Sequence, residues 1–231
     1  NKIGITLGLI LVYRIGSFIV LPGVNSDVLA EQMNSLGSGG LGDILSLFTG
    51  GAFTRASIFA LGIMPYISAS IIVQLMSIAV PAVQKLQSEG ESGRKKITQW
   101  TRFLTIAIAL VQAPGYLAST VVSVPGAVVN PSTFWWFSAI MIIVSSTLVI
   151  MWLGERITDK GVGNGISLLI MIGIIATFPQ ALIQEFIHPD STVYFFLVEI
   201  AFFLVVIGAS VALVQGIRKV PVQMAKLQQA D

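Results

Sequence analysis

A run of 29 residues without a charged side chain, from Ala56 to Gln84, constrains this chain more than any other feature. A helix needs about 20 mainly apolar residues to cross the hydrocarbon core of a bilayer, so the run is long enough to cross once. It also carries Gly62, Pro65 and Gln74, which a helix in contact with lipid alone would have little use for. We therefore predict a membrane-spanning helix that packs closely on other helices or lines a wet cavity.

Composition places the whole chain in the same class. Of its residues, 55% are hydrophobic and 10% are charged, against about 25% charged in soluble domains. The chain has no cysteine and one histidine, which excludes a disulfide framework and a multi-histidine metal centre, and we expect no cofactor. No nucleophile–base pair or carboxylate pair is visible, so an enzyme is the least favoured class. The first residue is Asn and no signal peptide is recognisable, so we expect the true N-terminus to lie upstream.

Charged residues divide the chain into apolar segments. The longest uncharged block, Phe103 to Gly154, holds two spans and a loop at about 116–132, which Pro-Gly and Asn-Pro pairs mark. We predict an all-α, polytopic membrane protein with six transmembrane helices, at residues 3–24, 53–79, 98–115, 133–154, 165–184 and 193–217.

The lysines and arginines predict the orientation of these spans. Eleven of the 13 basic residues fall on one side of the predicted membrane: Lys2, Lys85, Arg94, Lys95, Lys96, Arg102, Arg156, Lys160, Arg218, Lys219 and Lys226. The opposite loops, 25–52, 116–132 and 187–192, contain none. Because Lys and Arg are enriched in cytoplasmic loops, we predict a cytoplasmic N-terminus.

A short apolar segment lies between the first and second predicted spans. Its apolar residues are Leu41, Ile44, Leu45, Leu47 and Phe48, and glycine-rich stretches flank it at 37–40 and 49–51. Eight helical residues cover about 12 Å, too short to cross a bilayer. Two interpretations remain open: an interfacial helix on the outer surface, or a re-entrant helix at residues 41–50 folded back to membrane depth.

Four stretches of the chain, Gly50–Ile72, Glu89–Arg102, Trp152–Leu168 and Arg218–Lys226, carry motifs that together resemble, in the right order, the SecY family of bacterial protein-conducting channels. Gly50 to Ile72 resembles its second-span signature, and Glu89 to Arg102 its first cytoplasmic loop. Trp152 to Leu168 resembles the connection between spans four and five, and Arg218 to Lys226 the start of the loop after span six. The family has ten spans in two inverted halves. The resemblance therefore implies the N-terminal part, spans one to six and the start of a cytoplasmic loop at 218–231, of a channel in the cell (inner) membrane. Such a channel passes unfolded secretory polypeptides across the membrane and releases membrane-protein helices into it.

The resemblance also implies roles for particular residues in the channel. It assigns Ile63, Ile67, Ile166 and Ile170 to an apolar pore ring and residues 41–50 to a plug below it. The i, i+4 spacing of each isoleucine pair puts both members on one helix face, and branched apolar walls make a constriction that water leaves. Spacing alone would equally allow these isoleucines to face lipid, as we expect for Ile143.

The polar residues of the second span would line the lateral gate. These residues are Ser68, Ser70 and Gln74, and the simpler alternative for each is a hydrogen bond between packed helices. Arg14 lies within a predicted span, where an unpaired charge costs about 3 kcal/mol or more. The resemblance allows a partner for it in the missing half of the channel or in the small SecE subunit, and leaves the pairing open.

Partners follow from the same resemblance. The basic residues Arg94, Lys95, Lys96, Arg218, Lys219 and Lys226 set topology and contact anionic lipid. The family adds docking of the SecA motor and of the ribosome, the latter through RNA phosphates. Further implied partners are the SecE and SecG subunits, signal peptides, nascent chains and membrane lipids.

Two other functional classes remain as alternatives, and one motif is set aside. A secondary transporter shares inverted repeats and broken helices but usually has ionisable groups near the midplane, which spans three to five almost lack. A non-conducting membrane scaffold is the other alternative. The run Gly161-Val-Gly-Asn-Gly165 lacks the Lys-Ser/Thr of a phosphate-binding loop, and we predict instead that Asn164 starts the helix of span five.

Overall fold

The structure, a computed structural model, describes residues 2–35, 46–187 and 193–216. Eight α-helices lie in these ranges: α1 Lys2–Gly16, α2 Ser26–Ser35, α3 Met64–Ala79, α4 Pro81–Ser88, α5 Glu91–Tyr116, α6 Thr133–Lys160, α7 Gly165–Ile187 and α8 Val193–Gln215. Residues 46–49 are also helical, and a π-helix at Leu117–Val122 continues α5. The β pairing in the described part of the chain consists of two isolated bridges, so the prediction of an all-α fold is confirmed.

Length and composition allow three of the described helices to cross a membrane. These are Glu91–Val122, Thr133–Lys160 and Leu197–Gln215. The helical stretches Met64–Ala79 and Gly165–Gln180 are apolar but shorter. The count of six spans therefore stays a prediction.

The first predicted span, 3–24, is helical only as far as Gly16. The ring of Phe59 occupies the space beside Gly16, and the chain beyond it leaves the helix to pair with residues 56–58. The Leu21 amide donates to the Ala56 carbonyl at 2.9 Å, and the Ile58 amide donates to the Ile19 carbonyl at 2.8 Å. These bonds satisfy backbone groups that a longer helix would have satisfied within itself.

The second predicted span, 53–79, becomes helical only at Met64. Residues 50–63 form successive turns, and Gly62 has φ +53°, a left-handed conformation that interrupts a helix. Pro65 then occupies the first turn of α3, where its missing amide hydrogen costs nothing.

The remaining predicted spans differ from the helices mainly at their polar ends. α5 begins at Glu91 instead of 98, and α6 continues to Lys160 instead of 154. Both extensions carry charged, mainly exposed residues, and a prediction based on the length of uncharged segments does not include them. At the other end of α5, the loop predicted from 116 begins as the π-helix that follows Pro114.

Two apolar clusters form the core of residues 1–179, which make one compact unit. The first cluster joins the chain after α1, the turns at 53–61, α5 and α6. Two long-range hydrogen bonds link the same elements. Trp135 Nε1 donates to the Pro22 carbonyl at 2.8 Å, and the Tyr116 hydroxyl donates to the Phe53 carbonyl at 2.7 Å.

Ile143 of α6 is 0% exposed within this cluster, so the expectation that it faces lipid is wrong. Its face of α6 also carries buried Ala139 and Ile150, so this side of the helix packs on protein.

The ring cluster, as we name the second one, joins α1, α3, α6 and α7. Its buried members are Tyr13, Phe59, Ile63, Ile150, Leu153, Ile157 and Leu169. Residues 180–231 form a second compact unit, which contains α8, an apolar helix of 23 residues.

Candidate functional site

All four isoleucines of the predicted pore ring meet in the ring cluster. Ile63 is one of its buried members, and Ile67, Ile166 and Ile170 pack against it half-buried. The Ile67 amide donates to the Ile63 carbonyl at 3.1 Å, so these two residues are one helical turn apart at the start of α3. Two separate helices, α3 and α7, thus each contribute a pair of isoleucines to one apolar region.

The two isoleucines of α7 have different surroundings. Ile166 lies against α6, since an ideal Cβ built on Gly154 would be 3.1 Å from its Cγ1 atom. Ile170 borders a groove on the surface of α7, of about 390 Å³, together with Ser167, Met171 and Ile174. Ile170 therefore borders open space on the surface of α7, whereas Ile166 packs on α6.

The plug segment, residues 41–50, is described only from Ser46 onward. Leu41, Ile44 and Leu45 lie outside the described residues, while Leu47 and Phe48 are both exposed. The helical turn at 46–49 closes with two hydrogen bonds, from the Gly51 amide to the Ser46 carbonyl at 2.7 Å and from the Gly50 amide to the Leu47 carbonyl at 3.2 Å. Gly50 has φ +65°, and this combination is a Schellman motif, which ends a helix at a left-handed glycine.

The end of the plug segment lies beside the ring cluster. An ideal Cβ on Gly62 would be 3.0 Å from Thr49 Cγ2, which puts Thr49 next to the residue preceding Ile63. Thr49 itself is 2% exposed. The two elements that the sequence interpretation treated separately are therefore neighbours in space.

Arg14 has a partner within this chain. Its Nη1 donates to the Gly50 carbonyl at 3.2 Å, and its guanidinium lies 5.0 Å from the centre of the Phe18 ring. The Arg55 guanidinium lies 4.7 Å from the same ring. Within this chain, a backbone carbonyl and an aromatic face therefore already contact the charge of Arg14, and a partner in the missing half or in SecE stays a prediction.

The three predicted gate residues do not share one face of α3. At 100° per residue, Ser70 and Gln74 lie on the same side as Ile67, and Ser68 lies roughly opposite Ser70. Gln74 Nε2 donates to Ser70 Oγ at 3.5 Å, which is consistent with that shared side. Sequence analysis grouped the three by polarity and overlooked the helical period, which separates them.

The predicted cytoplasmic basic residues are mostly exposed where they are described. Arg94 and Lys96 are exposed, and Lys95 pairs with Glu91 at 3.0 Å on the surface of α5. Arg218, Lys219 and Lys226 lie outside the described residues. The sequence interpretation missed a pair between helices: Arg102 on α5 donates to both carboxylate oxygens of Glu155 on α6, at 3.0 and 2.6 Å.

The glycine-rich connection between α6 and α7 behaves as predicted. Asn164 Oδ1 accepts hydrogen bonds from the amides of Ile166 and Ser167, at 3.0 and 3.3 Å, so its role at the helix start is confirmed. Gly163 has φ +70°, and Gly165 packs directly on the Gly154 carbonyl. Both glycines are needed for the tight turn that brings α7 back along α6.

Within the described ranges, no three His, Asp or Glu side chains come together as a metal site could require.

One cavity of about 380 Å³ lies between the turns at 49–64 and the end of α5. Its lining is mainly apolar and includes Phe53, Leu61 and Tyr116. Apolar helices long enough to cross a bilayer, with irregular glycine-rich turns packed among them, define a helical integral membrane protein.

Comparison with known proteins identifies the family. A family model described as SecY matches residues 57–231, more than half of the chain. This chain belongs to the SecY family, and the resemblance noted in its sequence is confirmed.

Curated relatives agree with this assignment. The protein translocase subunit SecY of Escherichia coli (strain K12) is 42% identical over 229 residues, which are 96% of this chain and 51% of the relative. The subunit of the same name from Buchnera aphidicola subsp. Acyrthosiphon pisum (strain APS) is 44% identical over 226 residues, 95% of this chain and 51% of the relative. This chain thus spans about half the length of the relatives it matches, and the family points to a translocase subunit and not to a catalytic enzyme.

Solved structures show the same fold at lower identity. One, described as the structure of a protein conducting channel, has a TM-score of 0.53 at 18% identity and covers 87% of this chain and 41% of that one. Another, Sec61 in the canine ribosome-channel complex from the endoplasmic reticulum, has a TM-score of 0.56 at 16% identity. The match covers 97% of this chain and 49% of that one. These likenesses concern the fold alone.

Proposed function

We propose that this chain forms part of a protein-conducting channel that passes unfolded polypeptides across the plasma membrane and releases apolar helices into it. The observation that carries the proposal is the convergence of Ile63, Ile67, Ile166 and Ile170 on one apolar cluster, with the end of the plug segment beside it. A short helix next to an apolar constriction is what a seal that opens for a chain requires.

The constriction works through its side chains. Isoleucine offers no hydrogen bond to water, so a narrow ring of these residues favours an empty, dry passage over a hydrated one. The half-burial of Ile67 and Ile170 supports the proposal, because a ring residue must be supported by its own helix and still reach the passage. Ile166, which packs on Gly154, would then form the wall behind the ring.

The lateral gate is proposed at the polar side of α3. Ser70 and Gln74 lie on the side that also carries Ile67, so a chain leaving the ring sideways would meet hydroxyl and amide groups there. Such groups hydrogen-bond across a closed seam and part without leaving a charge exposed to lipid.

The orientation and the partners complete the proposal. The basic side, which includes exposed Arg94 and Lys96, faces the cytoplasm and carries the N-terminus. We propose that this side docks the SecA motor and the ribosome, and that the channel assembles with SecE and SecG. Signal peptides, nascent chains and lipids are the ligands of the passage and its gate.

Deletion of Leu41–Phe48 in the full-length protein tests the proposal. We expect transport of an unfolded precursor into vesicles to continue while ion conductance rises, because the segment is proposed to block the passage and the deletion leaves every predicted span whole. Single-channel recording and a protease-protection assay of the precursor measure the two effects.

Two results would contradict the proposal. If the deletion abolished membrane assembly, the segment would be a structural element and not a plug. If the protein instead took up a small solute along an ion gradient and no polypeptide, it would be a secondary transporter.

A further inference from the structure

The end of the plug segment touches α7 backbone to backbone. An ideal Cβ built on Gly173 of α7 would lie 2.6 Å from the Phe48 carbonyl oxygen and 3.4 Å from the Gly50 amide nitrogen. Real Cβ atoms do not come as close as the first distance, so only glycine leaves room for the segment at this point of the helix. Gly173 is also buried, so the segment covers it fully.

Arg14 of α1 contacts the same end from another side. Its Nη1 donates to the Gly50 carbonyl, which the Schellman motif leaves directed away from the helical turn. A Cβ on Gly50 would lie 2.8 Å from that Nη1 and 3.2 Å from the Gly173 Cα. Gly50 therefore lies between α1 and α7, in contact with both.

We propose that Gly173 and Arg14 form a seat for the described end of the plug segment, residues 46–50. Gly173 leaves a space that the backbone of Phe48 and Gly50 fills, and Arg14 donates a hydrogen bond to Gly50 that exists only while this end is seated. The proposal deepens the proposed function, on which it rests. Gly173 and Arg14 are positioning residues, since neither touches the passing chain. Displacing residues 48–50 breaks the hydrogen bond between Arg14 and the Gly50 carbonyl and opens the space beside Gly173.

The substitution Gly173→Ala tests the seat. Alanine is the better helix former, so α7 itself is not weakened, while the new methyl group and the Phe48 carbonyl cannot occupy their present places together. Overpacking of a filled site shifts a two-state equilibrium roughly 5- to 150-fold, and we expect a shift in this range toward the displaced segment. Gly8→Ala in α1 is the matched control, because nothing lies within 4 Å of a Cβ at Gly8.

The readout is the reactivity of a cysteine at position 49, in a full-length protein from which any cysteine outside these 231 residues has been replaced by serine. The chain has no cysteine of its own, and Thr49 is 2% exposed while the seat is filled. In the full-length protein, Thr49→Cys should react slowly with an aqueous thiol reagent present on both sides of the membrane. We expect Gly173→Ala to raise its rate of labelling at least several-fold and Gly8→Ala to leave it unchanged.

Arg14→Met keeps an unbranched, flexible side chain but removes both the charge and the hydrogen-bond donor, so it should raise labelling as well. If Gly173→Ala does not accumulate in the membrane, the labelling rate in Arg14→Met alone tests the seat. Unchanged labelling in Arg14→Met and Gly173→Ala would overturn the seat. Faster labelling without any rise in ion leak would support the seat and overturn the plug role in the proposed function.

Discussion

Ile67 and Ile170 are the two residues of the proposed ring that can be tested most directly, because both are half-buried and lie on different helices. Replacing either with Asn places an amide in the proposed dry constriction. We expect ion leak to rise and export of a reporter with a defective signal sequence to improve, because the barrier depends on apolar walls. Vesicle conductance and reporter export measure the two effects.

Ile72→Asn on α3 is the matched control for these substitutions. Ile72 is exposed and lies about 140° around the helix from Ile67. It should lower the amount of inserted protein without adding leak. Equal leak from Ile72→Asn and Ile67→Asn would contradict the ring assignment.

Arg14 shows which contacts a single residue does not reveal. The free-energy cost of placing its charge within a predicted span was predictable from the sequence, but its partner is a backbone carbonyl 36 residues away. A carbonyl has no signature in the sequence, and only the left-handed turn at Gly50 directs it toward α1. By contrast, the role of Asn164 was predictable, because a helix start depends on local residues.

Between elements, the bidentate contact of Arg102 on α5 with Glu155 on α6 offers a test of how these helices are held together. Glu155 is only 18% exposed at its side chain, so this pair is screened less than an open surface pair. We expect Glu155→Gln to lower the free energy of unfolding by about 1 kcal/mol, at the upper end for pairs of this exposure. Denaturant unfolding in detergent, read at low and high salt, measures the change.

The exposed pair of Lys95 with Glu91 provides the comparison. It joins neighbouring turns of one helix, so Glu91→Gln should cause a smaller loss that salt abolishes. A double-mutant cycle of Arg102→Gln and Glu155→Gln should return a coupling, and strict additivity would show that the contact adds nothing.

The ends of the helices were predictable only where the residue types change at the same place as the backbone conformation. α7 begins at Gly165 as predicted, since a glycine-rich turn precedes it. α3 begins eleven residues after the predicted start of its span at 53, because the turns at 50–63 are as apolar as a helix. Hydropathy measures which solvent a segment faces and does not distinguish turns from helix when both are buried in protein.

For the molecule as a whole, single cysteines can test the predicted orientation in a chain that has none. Ser92 and Val162 should react only with a reagent on the cytoplasmic side, and Ser123 and Val129 only from outside. All four are exposed, so differences in labelling report the side of the membrane. Labelling of Ser92 and Ser123 from one side would contradict the topology.

Class and family were accessible from the sequence, and the arrangement of the parts was not. The uncharged run at 56–84 and four ordered motifs were sufficient for both conclusions. The burial of Ile143 and the contact of Gly173 with the plug segment depend on which helices are neighbours. That information lies in distances between segments far apart in the chain.

The chain that follows α1 has a consequence for the order in which the protein is made. The Asn25 amide donates to the Ala127 carbonyl, and Trp135 donates to the Pro22 carbonyl, so each bond joins residues about a hundred positions apart. At about 5–20 residues per second, a ribosome needs roughly 5 to 20 s to add the missing partners. During that interval residues 19 and 21 can already pair with residues 56–58, while Pro22 and Asn25 still lack their partners. The stretch after α1 therefore closes in two stages, and the second stage waits for the chain leading into α6.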